Sequence, residues 1–118
     1  MGNRVSEIMH NGKKIIYGDY SGLTTDDFLA VIEQQESASL KSIEKNILHL
    51  LNFTDCKMSG KSKDRANEMM KKLNEKGYTV KTACFGIGSL QRLIASAVQR
   101  NMYFAKNIDD AKDWLVKE

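Results

Sequence analysis

Gly60-Lys61-Ser62 is the closing triplet of a phosphate-binding P-loop, and it stands where such a loop belongs. An apolar run from Ile47 to Phe53 empties into the polar stretch Thr54-Asp55-Cys56-Lys57-Met58-Ser59, and a helical pattern follows. Open α/β sheets place their ligands at this kind of strand-to-helix crossing, because backbone N–H groups converge there. The full motif requires a further glycine upstream, at position 55, so that the backbone wraps the phosphates. That position holds aspartate, whose carboxylate repels a phosphate. A nucleotide-binding enzyme at Gly60-Lys61-Ser62 is therefore the weakest of the functional readings. Thr54, Asp55, Ser59, Gly60, Lys61 and Ser62 stand as the candidate surface for binding or for a switchable mark.

A second turn, Gly86-Ile87-Gly88-Ser89, opens like a dinucleotide-binding fingerprint, but Gln91 occupies the place of its third glycine. The simpler reading gives Gly86 and Gly88 a tight strand-to-helix turn and makes Ser89 the helix cap. Cys56 and Cys84 are too far apart to form a metal-spaced pair, and His10 and His49 complete no Cys/His cluster. His49, within the apolar run, reads as a hydrogen-bonded sheet histidine. Asp19 and Asp55, both at strand ends, are explained by turns more simply than by acid–base work. Arg92 and Arg100 can bind an anion, yet they are also ordinary solvent-side residues of an amphipathic helix. No catalytic residue, metal or cofactor is expected, and the chain reads as a non-enzyme.

The chain has 118 residues, of which 42% are hydrophobic and 28% charged, enough to fill one core without a disulfide or metal. Positions 1–118 are read as a single domain. Eighteen Lys and Arg against fifteen Asp and Glu leave a net charge of +3, short of the excess that nucleic-acid binding requires. Basic residues nonetheless gather between Asp55 and Lys81 on what reads as a solvated helix face, one that can also draw an acidic partner or a phosphate. No secretory leader and no membrane-length apolar run is visible, so a cytoplasmic protein with reduced thiols is expected.

The elements that position these residues follow from pattern. Val5 to His10 and Lys13 to Tyr20 are strand-like and joined by Asn11-Gly12, the strongest short signal of a hairpin. Thr24 or Thr25 caps a helix with Asp26 and Asp27 in its first turn and Phe28, Leu29 and Ile32 on its apolar face. Gln34 to Lys45 is polar and reads as a helix end plus connection. Beyond the Ser/Gly loop, Ala66, Met69, Met70 and Leu73 recur at helical spacing until Gly77. Thr79 to Phe85 is the next strand, and Leu90, Leu93, Ile94, Ala97 and Val98 predict the inward stripe of a third helix. Met102 to Ala105 predicts a last strand, and Asn107 caps a closing helix with Ile108, Ala111 and Leu115 at core spacing. The order β-β-α-β-α-β-α-β-α implies a mixed, mostly parallel α/β sheet with an N-terminal hairpin and four helices.

That order, together with Lys14-Ile15-Ile16-Tyr17-Gly18-Asp19-Tyr20-Ser21-Gly22, Ala83-Cys84-Phe85-Gly86, Leu90-Gln91-Arg92-Leu93 and Ala111-Lys112-Asp113-Trp114-Leu115, resembles the STAS domain family. The likeness, from about Lys13 onward, is to its small SpoIIAA-like stand-alone proteins. The resemblance implies a non-catalytic anti-sigma factor antagonist that binds a protein partner and is switched by phosphorylation of a serine at the start of the helix after the central strand. Ser62 is the nearest positional match and Ser59 its neighbour. The family shows an Asp-Ser-Ser-Gly-like start there, whereas this chain has Gly60-Lys61-Ser62-Lys63. The related Sec14-like shape supplies an alternative, a small apolar or anionic ligand held at the strand ends between Gly18, Thr54 and Gly86. The exposed hairpin edge also makes a homodimer an expectation.

Overall fold

Asn11 and Gly12 both take positive φ, 50° and 78°, as a type I′ turn demands, and they join β1 (Val5–His10) to β2 (Lys13–Asp19) in an antiparallel pair. The chain continues through α1 (Thr25–Leu40), β3 (Asn46–Asn52), α2 (Gly60–Glu75), β4 (Thr79–Phe85), α3 (Ser89–Val98), β5 (Tyr103–Phe104) and α4 (Ile108–Val116). This computed structural model describes residues 2–99 and 101–117. The sheet runs in the order β1-β2-β3-β4-β5, with every pair after the hairpin parallel. The mixed α/β sheet with four helices is thus as the sequence predicts.

Each crossover from β2 onward moves the chain one strand further in the same direction. Crossovers of a single hand then place all their helices on one face. α1, α2 and α3 accordingly pack on the same side, where Phe28, Val31 and Ile32 of α1 and Met69 and Leu73 of α2 meet Ile16, Ile47, Leu51 and Cys84. α4, which follows the last strand, covers the opposite side through Ala111 and Leu115 against Ile15, Leu50 and Ala83. Successive residues of β3 therefore serve different layers: Ile47, His49 and Leu51 face three helices, and Leu50 faces one.

Three elements depart from the sequence reading. α1 does not end near Gln34 but runs to Leu40, and the polar Gln35, Glu36 and Ser39 of its second half are buried. The third helix departs from its predicted stripe in part: Ile94 and Val98 are half-buried and Ala95 is buried, while Ala97 is exposed, Leu93 is 71% exposed, and the Leu90 side chain lies outside the described residues. The last strand shrinks to Tyr103–Phe104, enough for one short parallel pairing with Ala83 and Cys84. The helix caps resolve cleanly. Thr24, not Thr25, accepts from the Asp27 amide, and Asn107 accepts from the Asp110 amide at 2.9 Å.

Candidate functional site

The loop between β3 and α2 is held at both ends by backbone bonds. Phe53 N–H donates to the Phe85 carbonyl at 3.0 Å, Lys57 N–H to Leu23 at 3.0 Å, and Gly22 N–H to Thr54 at 2.9 Å. Thr54 donates from both its amide and its hydroxyl to the Asn52 side-chain oxygen, at 3.0 and 2.7 Å. Asp55 sits exposed at φ 53°, in the left-handed region where aspartate is among the better-tolerated residues. The chain here lies back along the Tyr20–Leu23 turn and does not wrap a phosphate-sized space. The Cys56 and Lys57 amides, which a phosphate cradle would use, are spent on Phe53 and Leu23.

Ser59 is the N-cap of α2, and Ser62 completes a capping box. The Ser59 hydroxyl accepts from the Ser62 amide at 3.4 Å, and the Ser62 hydroxyl accepts from the Ser59 amide at 3.3 Å. The two candidate serines are therefore brought together, yet they differ in access. Ser62 is 2% exposed, whereas Ser59 is half-buried, and Gly60 and Lys61 beside it are exposed.

The second turn meets the first. Gly86 has φ 77°, and a Cβ there would lie 2.2 Å from the Thr54 hydroxyl oxygen and 2.9 Å from its amide nitrogen. Only glycine lets the two turns touch. Gly18 is hemmed in likewise, its missing Cβ only 2.8 Å from the Tyr20 ring. Of the three positions among which the sequence set a ligand, Gly18 lies against Tyr20, Gln35 and Leu51, and Gly86 lies against Thr54, which is itself exposed. Ser89 does not cap α3: the N-cap is Gly88, with no side-chain bond, and Ser89 is the first helical residue, exposed to solvent. Asp19 is occupied as a turn residue, accepting from the Ser21 amide at 3.0 Å and its hydroxyl at 2.6 Å. Arg92 lies over the Phe104 ring at 5.0 Å, and Arg100 falls outside the described residues.

Sequence reasoning missed a buried polar chain behind this loop. The Tyr20 hydroxyl donates to the Gln35 side-chain oxygen, which leaves the Gln35 amide nitrogen to donate to His49 Nδ1 at 2.9 Å. His49 is then a neutral ring protonated at Nε2, which donates to Ser39 Oγ at 2.8 Å, and Ser39 donates onward to the Gln35 carbonyl at 2.8 Å. Each of the four side chains thus has a hydrogen-bond partner. Burial pushes the His49 pKa down to about 4 and the Tyr20 pKa up, so both stay uncharged at neutral pH. Burial likewise lifts the thiol of Cys56 to about 11 and that of Cys84 to about 12. Thr82, paired with His49 across β3 and β4, is 2% exposed, and its hydroxyl has no hydrogen-bond partner. The one signal for this chain in the sequence is His49 within an apolar strand, since an isolated polar residue there requires partners from another element.

Arg65 and Lys72 of α2 pair with the carboxylate of Glu36 in α1, Lys72 at 3.7 Å. Part of the basic excess of the 55–81 region is thereby spent inside the molecule. Among the described residues, no group of three or more His, Cys, Asp or Glu side chains is placed to hold a metal ion. No described helix is long and apolar enough to cross a membrane.

No protein-family model and no curated protein matches the chain. Among solved structures it is similar to the crystal structure of an uncharacterized protein of the DUF3478 family with a SpoIIAA-like fold from Shewanella loihica PV-4. The two share 20% sequence identity and a TM-score of 0.62, over 94% of this chain and 91% of that one. The fold of this chain is SpoIIAA-like, as the resemblance in the sequence implies.

Proposed function

We propose that this chain is a non-catalytic regulatory or protein-interaction module whose contact surface is the loop from Thr54 to Asp64 with the first turn of α2. The observation that carries the reading is the charge at that turn. α1 and α4 begin with acidic pairs, Asp26-Asp27 and Asp109-Asp110, which offset the positive end of the helix dipole. α2 has no acidic residue in its first turn and carries Lys61 and Lys63 instead. The positive potential left there, extended by exposed Lys57, is complementary to an acidic partner surface. The neutral state of Tyr20 and His49, each bonded to Gln35, and the protonated thiols of Cys56 and Cys84 also favour recognition over chemistry at neutral pH.

A serine switch fits the same turn, with Ser59 as the more accessible residue. A phosphate on Ser59 would gain from the α2 dipole and from Lys61 and Lys63 while cancelling the charge that attracts an acidic partner. Phosphorylation of Ser62 requires unwinding the capping box that buries it.

The test is capture of proteins from the source organism by the wild type and by a Lys57→Glu/Lys61→Glu variant. Both sites are exposed, so the variant keeps its melting temperature, and its specific partner is lost. Retention of the same proteins by both baits overturns the contact surface. Intact-mass and peptide analysis of native protein then reads the switch: a phosphorylated fraction mapped to Ser59 supports it, and none in any growth state removes it.

A further inference from the structure

The two edges of the sheet are finished differently. On one side β5 is two residues long, with Arg92 laid over its Phe104 ring, so it offers little backbone to a further strand. On the other, β1 runs the full length Val5–His10 in unbroken register with β2. It holds no lysine, no proline and no bulge, the devices by which exposed edges are usually closed. The Arg4 carbonyl accepts from the Asp19 amide, which sets the alternation: even-numbered residues bond β2, and odd-numbered ones turn their backbone outward. The Val5 N–H is taken by the Asn3 side chain at 3.2 Å. The Val5 carbonyl and both backbone groups of Glu7 and Met9 face away from the sheet, and none of them has a partner among the described residues. A groove of about 690 Å³ runs along this edge, between residues 5–7 and the outer side of α1, where Ala30, Glu33, Ser37 and Lys41 line it.

We infer that β1 is a docking edge for an extended segment of another protein, which adds as an antiparallel strand beside α1. The inference is independent of the lysine-bearing turn of α2 proposed above as a contact surface. Outward backbone groups at every second residue, roughly 7 Å apart, are matched by another extended strand, whose own groups repeat at that spacing. The added strand carries a basic residue. Its side chains that point toward α1 meet Glu7 and Glu33, both exposed; Glu7 is shared with Lys14 at 3.2 Å, and Glu33 has no ion-pair partner among the described residues. Side chains that point the other way lie beside half-buried Ile8, on the α4 face, and favour a branched apolar residue. Met9, 67% exposed, supplies an adaptable apolar contact on the same edge. A second copy of this chain fits less well, because its β1 has no basic residue and would lay a further Glu7 in the acidic groove.

The probe is the end-blocked peptide Ser-Thr-Val-Lys-Val-Thr-Ser, titrated into the isotopically labelled full chain while backbone amide signals are followed by NMR. The expected result is saturable, millimolar-range binding, with shifts confined to residues 5–9 and the facing side of α1, and slowed hydrogen exchange at the Glu7 and Met9 amides. A peptide with glutamate in place of the lysine binds about threefold more weakly, the scale of one surface ion pair. Glu33→Lys in the protein reverses that order. Met9→Pro removes an outward N–H and leaves every bond to β2, so the variant keeps its melting temperature and loses the binding. Absence of saturable shifts overturns the docking edge, and unaltered binding by Met9→Pro overturns strand addition. Equal affinity of the wild type for the two peptides overturns the basic class. A dimer of the unliganded chain that Met9→Pro splits into monomers, read by analytical ultracentrifugation, assigns the edge to a second copy and overturns the partner strand.

Discussion

The two faces of the sheet are built from the same strands, yet they solve packing differently. On the α4 face, Ile15, Leu50, Ala83 and Ala111 are 0% exposed and Leu115 is 1% exposed, and alanines on both sides let the helix approach closely. The face is dry, small and closed. The opposite face must be covered by three helices, and it carries Tyr20, Gln35, Ser39, His49 and Thr82 among its apolar residues, together with a cavity of about 60 Å³. A single helix can settle onto a sheet along its whole length. Three helices side by side must also pack against one another, so their best fit to the sheet is a compromise that leaves space. Closely fitted packing lies on one face, and a mainly apolar cavity beside buried polar groups lies on the other.

Truncation separates the faces most strongly. Leu50→Ala on the α4 face is expected to cost about 4 kcal/mol, because tight packing there cannot collapse into the gap. Met69→Ala on the other face is expected to cost about 2 kcal/mol, since α3 can settle inward. Urea unfolding of both variants measures the difference, and equal costs break the comparison.

Acid distinguishes them next. The folded pKa of His49, about 4, lies below its ordinary value of 6.5, so between these values the unfolded chain takes up a proton that the folded chain refuses. Stability is therefore complete above the upper value and falls as pH drops through the window, by roughly 3 kcal/mol in all. Urea midpoints that stay level from neutral pH to the lower end of the window would refute the buried, neutral His49.

The smallest effects have opposite signs. Thr82→Val removes an unbonded hydroxyl and is expected to stabilise by about 1 kcal/mol. Ala83→Val, one residue along β4 and facing α4, inserts methyl groups into a closed layer and is expected to destabilise by about 2 kcal/mol. Thermal melts of the two neighbours sharpen the comparison because they share one strand and differ only in the face they serve. Destabilisation by Thr82→Val would mean that its hydroxyl is bonded after all.

Much of this fold was legible because its signals are local. Asn11-Gly12 specified the hairpin, one of the pair Thr24 and Thr25, and Asn107, capped their helices, and Gly77, at φ 87°, ended α2 where the periodicity stopped. α1 was read too short because Gln35, Glu36 and Ser39 look like a solvent face in isolation. They are inward residues whose partners, His49, Arg65 and Lys72, arrive from other elements. α3 was read with Leu93 and Ala97 inward in place of Ala95 because an apolar helix carries more than one plausible face, and only packing beside α2 selects among them. The strand-to-helix crossing between β3 and α2 was also legible, from an apolar run followed by a polar stretch and a helical pattern. That Ser62 is buried in a capping box while Ser59 is half-open was not readable from two serines three positions apart.

By itself the sequence determined the order and kind of the elements, the turn and cap chemistry, and a mostly parallel sheet with an antiparallel hairpin at its start. These depend on φ preferences, side-chain periodicity and crossover geometry, which act within one element or between consecutive ones. Only the tertiary structure decided which polar residues go inside, which serine is reachable, that Thr54 meets Gly86, and that Thr82 is left without a partner beside a cavity. Each of these depends on pairing between groups distant in the chain. A buried hydroxyl or imidazole is satisfied, or not, by whichever element the fold places opposite it.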